Sequence, residues 1–282
     1  MAAAIVQVRR ACKTFGRARD PVWRDVCFDI GRGEMVALIG PSGSGKSTLI
    51  RALAGLVPID SAAPHLGDAE PGRIDLFGVP MQRDGRIAGK AARLRARVGV
   101  IFQQFNLVPR LSVLTNVCLG FLGGMPGHRS LLGLFSASEK EHAMAALARV
   151  GMAEHALRRG ADLSGGQQQR AAIARTLVQG AELIVADEPI ASLDPASARR
   201  VMDILAELNR RDGITMLVSL HQVDYAMAYC LRTIALKDGG IAYDGDSSAL
   251  SPALLDRIYG EEGGQALPSP PLTAPLAPGV LT

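Results

Sequence analysis

The sequence predicts an α/β protein whose parallel sheet is covered on both faces and interrupted by a helical insertion. Three observations carry that prediction. Short, continuous apolar runs recur along the chain and alternate with helix-like segments, the pattern of strands buried on both faces. A glycine-rich turn joins the first clear run to a helix. The stretch from about Leu107 to Leu163 contains no buried-strand run and reads as helical.

Met35 to Ile39 reads as a buried strand closed by Gly40, with a helix from Lys46 to about Leu56. Val98 to Phe102, Leu183 to Ala186 and Ile214 to Ser219 read as further buried strands. Inside the insertion, Ser138 and Glu141 have the spacing of a capping box, ahead of Met144, Leu147, Ala148 and Val150. Asp194 and Pro195 suit the N-cap and first turn of a helix that runs to about Arg211 and stops at Gly213. Pro58 to Pro71 reads as a long surface link. Gly263 to Thr282, with proline recurring and no charge, reads as a disordered tail.

Bulk composition narrows the partners. The chain has 282 residues, 48% of them hydrophobic and 21% charged, enough for one large α/β domain or two small ones. Net charge is +4, spread along the chain. The densest basic stretch, Arg83 to Arg97, reads as a solvated helix face, with lipid headgroups or a partner as the alternative. Aromatics are 4%, which argues against a base-stacking sheet, and no nucleic acid partner is expected. Cys12, Cys27, Cys118 and Cys230 form no metal or disulfide pattern and read as reduced thiols. No apolar run approaches the roughly 18 residues of a membrane span. A soluble protein is expected; if it works at a membrane, other chains must hold it there.

Gly40-Pro41-Ser42-Gly43-Ser44-Gly45-Lys46-Ser47 fits the phosphate-loop pattern and lies between a strand and a helix, as the chemistry requires. Its amides and the helix N-terminus suit an anion. Lys46 is placed to reach the β- and γ-phosphates of a nucleotide, and the Ser47 hydroxyl to ligate Mg²⁺. Thr48 continues the first helical turn. Asp187 and Glu188 follow a second buried strand. Asp187 suits Mg²⁺ through water and Glu188 suits a general base, an ordinary acidic strand end being the alternative. Leu163-Ser164-Gly165-Gly166-Gln167 is another small-residue turn opening a helix with a hydroxyl and bare amides exposed. One nucleotide does not need two such cradles from one chain.

That combination resembles the ABC ATPases, and the likeness covers about residues 1 to 260. The resemblance implies a P-loop NTPase (RecA-like) core with an antiparallel β part and an inserted helical subdomain. The ATPase domain would span 1–262, with the core at about 1–103 and 165–262, the helical subdomain at about 104–164, and the tail at 263–282. By resemblance, Ser164, Gly165, Gly166 and Gln167 are the signature motif, which closes on ATP held by the phosphate loop of a second, head-to-tail copy. Gln103 resembles the Q-loop glutamine, which senses Mg²⁺ or the lytic water at the hinge of the helical subdomain. Asp194 resembles the D-loop aspartate that contacts the second copy. His221 resembles the switch histidine that holds the γ-phosphate, the water and Glu188. Phe15 resembles the ring on which adenine stacks, with core packing as its alternative.

A narrower resemblance rests on Gly99 to Val108, Arg110 to Val113, Pro189 to Pro195, Val218 to Asp224 and, most specifically, Arg129-Ser130-Leu131-Leu132-Gly133-Leu134-Phe135. This set is similar to the ATP-binding subunits of bacterial phosphonate importers. It implies ATP hydrolysis coupled to uptake at the cytoplasmic face of the inner membrane, with permease subunits and a solute-binding protein as partners. Importers of phosphate, phosphite or another solute are the alternative, followed by a non-transport ABC ATPase. The substrate class is carried by resemblance alone.

Overall fold

The computed structural model describes residues 4–16, 21–61 and 70–260. The tail at 263–282 and most of the Pro58 to Pro71 link lie outside the described residues. In chain order the strands are β1 (Ala4–Lys13), β2 (Trp23–Gly31), β3 (Met35–Ile39), β4 (Arg73–Leu76), β5 (Val79–Arg83), β6 (Arg86–Ile87), β7 (Val98–Ile101), β8 (Leu183–Ala186), β9 (Thr215–Ser219), β10 (Arg232–Lys237) and β11 (Gly240–Asp246). The helices are α1 (Lys46–Leu53), α2 (Ala91–Arg95), α3 (Val113–Cys118), α4 (Gly127–Leu132), α5 (Ala137–Arg149), α6 (Gly165–Val178), α7 (Pro195–Asp212), α8 (Val223–Tyr229) and α9 (Pro252–Tyr259).

Two sheets form. One is antiparallel, in the order β2-β1-β4-β5-β6. The other runs β11-β10-β3-β9-β8-β7, parallel except where β11 pairs with β10. The apolar runs of the parallel sheet divide between its two faces, because successive side chains in a strand point oppositely. Val36, Leu38, Leu183, Val185 and Leu217 pack with α1 and the antiparallel sheet. Met35, Ala37, Ile39, Ile184, Ala186, Met216 and Val218 pack with the helices of the other face. That is why these strands are apolar throughout rather than alternating.

The segment between β7 and β8 is helical, as expected. α3, α5 and α6 pack against one another, around Val117, Ala143, Leu147 and Ile173. The N-cap of α5, however, is Ser136 rather than Ser138. Ser136 Oγ accepts from Glu139 N–H at 3.2 Å, and the Glu139 carboxylate accepts from Ser136 N–H at 2.6 Å. Both serines fit the capping spacing. Ser136 prevails because Glu139 also accepts from Arg129 at 2.6 Å, a partner distant enough in sequence to be invisible to a local pattern.

The basic stretch also departs from a single solvated face. Arg83 and Arg86 lie on the β5–β6 hairpin, and the helix is only Ala91–Arg95. Arg95 donates to Gly55 O at 2.8 Å. Arg97 pairs with Glu182 at 2.5 Å and covers the Phe77 ring at 3.8 Å. α7 follows the sequence closely: Asp194 caps it, Pro195 opens it, and Gly213 ends it with φ 67°, in the left-handed region that favours glycine.

Candidate active site

The phosphate loop and the paired carboxylates meet at the carboxyl-terminal edge of the parallel sheet. Close packing fixes the glycines of the loop. A Cβ on Gly40 would lie 2.2 Å from Leu236 O, and one on Gly45 would lie 2.3 Å from Trp23 Nε1. Both residues have positive φ, 145° and 92°, which only glycine adopts freely. Trp23 is fully buried beneath the loop, and its indole N–H donates to Gly45 O at 3.2 Å. From the other side, Gly40 N–H donates to the Tyr259 hydroxyl of α9 at 3.3 Å.

Lys46 is 4% exposed. Its ammonium donates to Gly40 O at 2.7 Å and Pro41 O at 3.1 Å. Burial holds the Lys46 ammonium below the ordinary lysine range, opposed by the charges of Glu188 and Asp187. Ser44 Oγ is buried and has no hydrogen-bond partner. A buried hydroxyl without a partner is costly, and here it sits in a loop whose amides suit a phosphate oxygen.

β8 delivers the carboxylates. Asp187 is 5% exposed, and its N–H donates to Ile101 O at 2.7 Å. Its Oδ1 accepts from Ser47 Oγ at 2.9 Å and from Ser219 Oγ at 3.1 Å. Glu188 stands at φ 48°, an uncommon conformation for a residue with a Cβ. Its N–H donates to Ser219 Oγ at 2.8 Å, and its Oε1 lies 2.5 Å from His221 Nε2. Ser219 thus supports both carboxylates at once. Sequence reasoning missed it; the only local signal is a polar residue at the end of an apolar strand.

Phe15, Ser42, Gly43, Gly45, Lys46, Ser47, Thr48, Glu188 and His221 line one open cavity of about 450 Å³. Phe15 is half exposed, with the Lys13 ammonium 5.1 Å from its ring centre. It is a rim residue, not a core one. Gln103 lies exposed in the loop after β7, beside the carboxylate-bearing end of β8, but is not among the residues lining the cavity. Arg175 of α6 donates to Asn106 O at 2.8 Å, joining the Gln103 loop to α6.

The residues expected to form the signature lie elsewhere. Ser164 caps α6, and Ser164 with Gln167 forms a reciprocal capping box. Ser164, Gly166 and Gln167 line a second cavity of about 190 Å³ with Arg170, Ser197 and Arg200. The two cavities share no lining residue. A Cβ on Gly166 would stand 2.7 Å from Ser197 Oγ. Asp194 Oδ1 accepts from Ala196 N–H at 3.1 Å and Ser197 N–H at 3.0 Å, and hydrogen bonding from Ser197 holds its carboxyl below the usual range.

A family model described as ABC transporter matches residues 23–191, more than half of the chain. This chain belongs to the ABC transporter family. Across 263 residues it is 58% identical to "Phosphonates import ATP-binding protein PhnC" of Stutzerimonas stutzeri, covering 92% of this chain and 91% of that one. It is 52% identical to the protein of the same name from Caulobacter vibrioides, covering 92% and 94%. Among solved structures it is similar to a dimeric ATP-binding cassette in a post-hydrolysis state with ADP and Pi, at TM-score 0.72 and 29% identity, over 86% of this chain and 98% of that one. It is also similar to CbiO1 of Clostridium perfringens, part of an ABC transporter complex, at TM-score 0.73 and 25% identity, over 93% and 98%. The P-loop core with parallel and antiparallel strands plus helices is thus the fold of an ABC cassette. No helix among the described residues is long and apolar enough to cross a membrane.

Proposed function

We propose that this chain is the ATP-hydrolysing subunit of a bacterial importer for phosphonates. The observation that carries the reading is 58% identity, over nearly the whole chain, to a phosphonates import ATP-binding protein. The Glu188–His221 pair beside the phosphate loop supports the chemistry.

The loop amides and Lys46 bind the β- and γ-phosphates of ATP, and the Phe15 ring takes the adenine face. Lys46 first exchanges its bonds to Gly40 O and Pro41 O for bonds to phosphate oxygen. Glu188 accepts a proton from water as the water oxygen bonds to the γ-phosphorus. The bond from that phosphorus to the β–γ bridging oxygen breaks, and ADP and phosphate result. His221 holds the Glu188 carboxylate in place. Ser47 Oγ would hold Mg²⁺ and Asp187, whose Oδ1 lies 2.9 Å away, would hold it through water, hard oxygen donors of the kind this ion takes. When bound, Mg²⁺ offsets charge on the phosphates.

The separation of the two cavities supports a head-to-tail dimer, in which Ser164, Gly165, Gly166 and Gln167 of one copy meet the ATP held by the other, and Asp194 lies at their interface. The core (1–103 and 165–262) and the helical subdomain (104–164) hinge near Gln103, which senses the metal or the water. Permease subunits seated there follow the hinge, and a solute-binding protein acts through them. The chain works at the cytoplasmic face of the inner membrane.

The test is growth of a deletion strain, free of other uptake systems, on a phosphonate or on phosphate as sole phosphorus source. Growth on phosphate alone, with phosphonate growth restored by the wild-type gene and not by Glu188→Gln, is expected. Unchanged growth on phosphonate would refute the substrate.

A further inference from the structure

His155 lies outside every motif, yet it touches the signature. It ends the short turn Ala153–His155 that follows α5. Its Nε2 lies 3.1 Å from Gln167 Nε2. The orientation of the Gln167 amide is fixed by its other end, because Gln167 Oε1 accepts from Ser164 N–H at 2.9 Å. Gln167 Nε2 is therefore a donor, and His155 Nε2 receives the bond on its lone pair. Only a neutral imidazole with its hydrogen on Nδ1 does so.

We propose that His155 is a positioning residue for the signature motif, and that it acts only in its neutral form. The proposal rests on the head-to-tail reading above. Ser164 Oγ accepts from Gln167 N–H at a long 3.4 Å, a bond readily given up. When that hydroxyl turns to a phosphate held by the partner copy, the Gln167–Ser164 N–H bond is the half of the capping box that remains. His155 keeps the Gln167 carboxamide from rotating at that moment. The Ser164 backbone and the amides of Gly165 and Gly166 then stay aimed at the phosphate.

A protonated His155 presents N–H to an NH₂ group, and the contact becomes repulsive. The charged groups around this turn include Glu154, whose Oε1 lies 3.6 Å from His155 Nε2 but whose side chain is 81% exposed, Arg158, whose N–H donates to His155 O at 3.0 Å and whose guanidinium donates to Asp162 O, Arg170 on α6 and Arg200 on α7. Arg170 feels both Glu154 and Arg200, and its Nη1 is occupied by Val150 O and Gly151 O. Once protonated, His155 is drawn toward Glu154 and away from Gln167.

ATP-driven dimerisation in a Glu188→Gln background, measured by sedimentation at about pH 8 and about pH 6, tests this. At the higher pH, His155→Ala should weaken dimerisation about 3- to 10-fold, the worth of one neutral hydrogen bond. His155→Gln, which offers an amide oxygen as acceptor, should restore it. Lowering the pH should weaken the His155 parent more than the His155→Gln protein. His221 is common to both and cancels in the comparison. Binding of a fluorescent ATP analogue to the monomer should be the same in all three. Equal dimerisation of parent and His155→Ala, or identical pH profiles for parent and His155→Gln, would overturn the role of His155 alone. A parent that binds ATP but stays monomeric would overturn the dimer reading, and this proposal with it.

Discussion

Ser219→Ala tests how the two carboxylates are held. Ser219 is fully buried, so no water replaces its hydroxyl at once. The substitution removes the acceptor of Glu188 N–H and one of the two hydroxyls donating to Asp187 Oδ1; Ser47 remains as the other. An orphaned buried donor costs about 1–3 kcal/mol, and a lost hydrogen bond to a charged group about 1.5–3 kcal/mol. These share one oxygen and do not add fully, so a loss of about 2–4 kcal/mol is expected. The left-handed backbone of Glu188 stores strain of about 1–3 kcal/mol, which the Ser219 bond restrains. Released, Glu188 rotates off His221. Turnover should then fall about 10- to 100-fold, equivalent to about 1.4–2.7 kcal/mol in the barrier. ATP affinity should change little, because Lys46 and the loop amides are untouched. Urea unfolding, steady-state phosphate release and nucleotide titration measure the three quantities. Wild-type stability together with wild-type turnover would refute the reasoning.

Glu188→Gln should bind ATP and lose turnover by about 10²-fold or more, measured in single-turnover hydrolysis. Gly45→Ala places a methyl against the Trp23 indole in a left-handed backbone; nucleotide binding should be lost and stability fall by about 1–3 kcal/mol, read by titration and urea unfolding. Ser164→Arg and Lys46→Ala should each be inactive alone, while an equal mixture should regain phosphate release, since the proposed head-to-tail arrangement would leave one of the two composite sites of a mixed dimer intact. Burial lowers the folded-state pKa of Lys46. Between that value and the unfolded one, about 10.4, the unfolded chain binds more protons, so stability of the nucleotide-free protein should rise with pH through that window. Lys46→Met should flatten the rise in urea titrations.

Much of this site was legible because its signals are local. A strand, a glycine turn and a helix start adjoin one another at Gly40 to Thr48, and Asp194, Pro195 and Gly213 punctuate α7 within its own sequence. What was illegible depends on residues far apart. The α5 cap belongs to Ser136 because Arg129 reaches Glu139. Trp23 and Tyr259 support opposite ends of the phosphate loop from β2 and α9. Ser219 joins Asp187 and Glu188 only once β8 and β9 pair. The antiparallel strands β1 and β5 mix buried and open positions with bulges, so neither a clean alternation nor a continuous apolar run announces them, and β4 alternates over only four residues, Arg73–Leu76, too few to stand out. Phe15 required exposure to decide between core and rim, and Gln103 required coordinates to place it outside the cavity.

The chain contains one tryptophan, and that residue is Trp23, dry and bonded to the carbonyl of Gly45. The protein therefore carries its own optical gauge of the phosphate loop. Its intrinsic indole emission arises from one place only, with no surface background to subtract. A change in the loop alters the hydrogen bond at the indole nitrogen, and with it the colour and yield of that emission. Occupancy of the loop can then be followed in unlabelled, full-length protein on the time scale of a stopped-flow experiment.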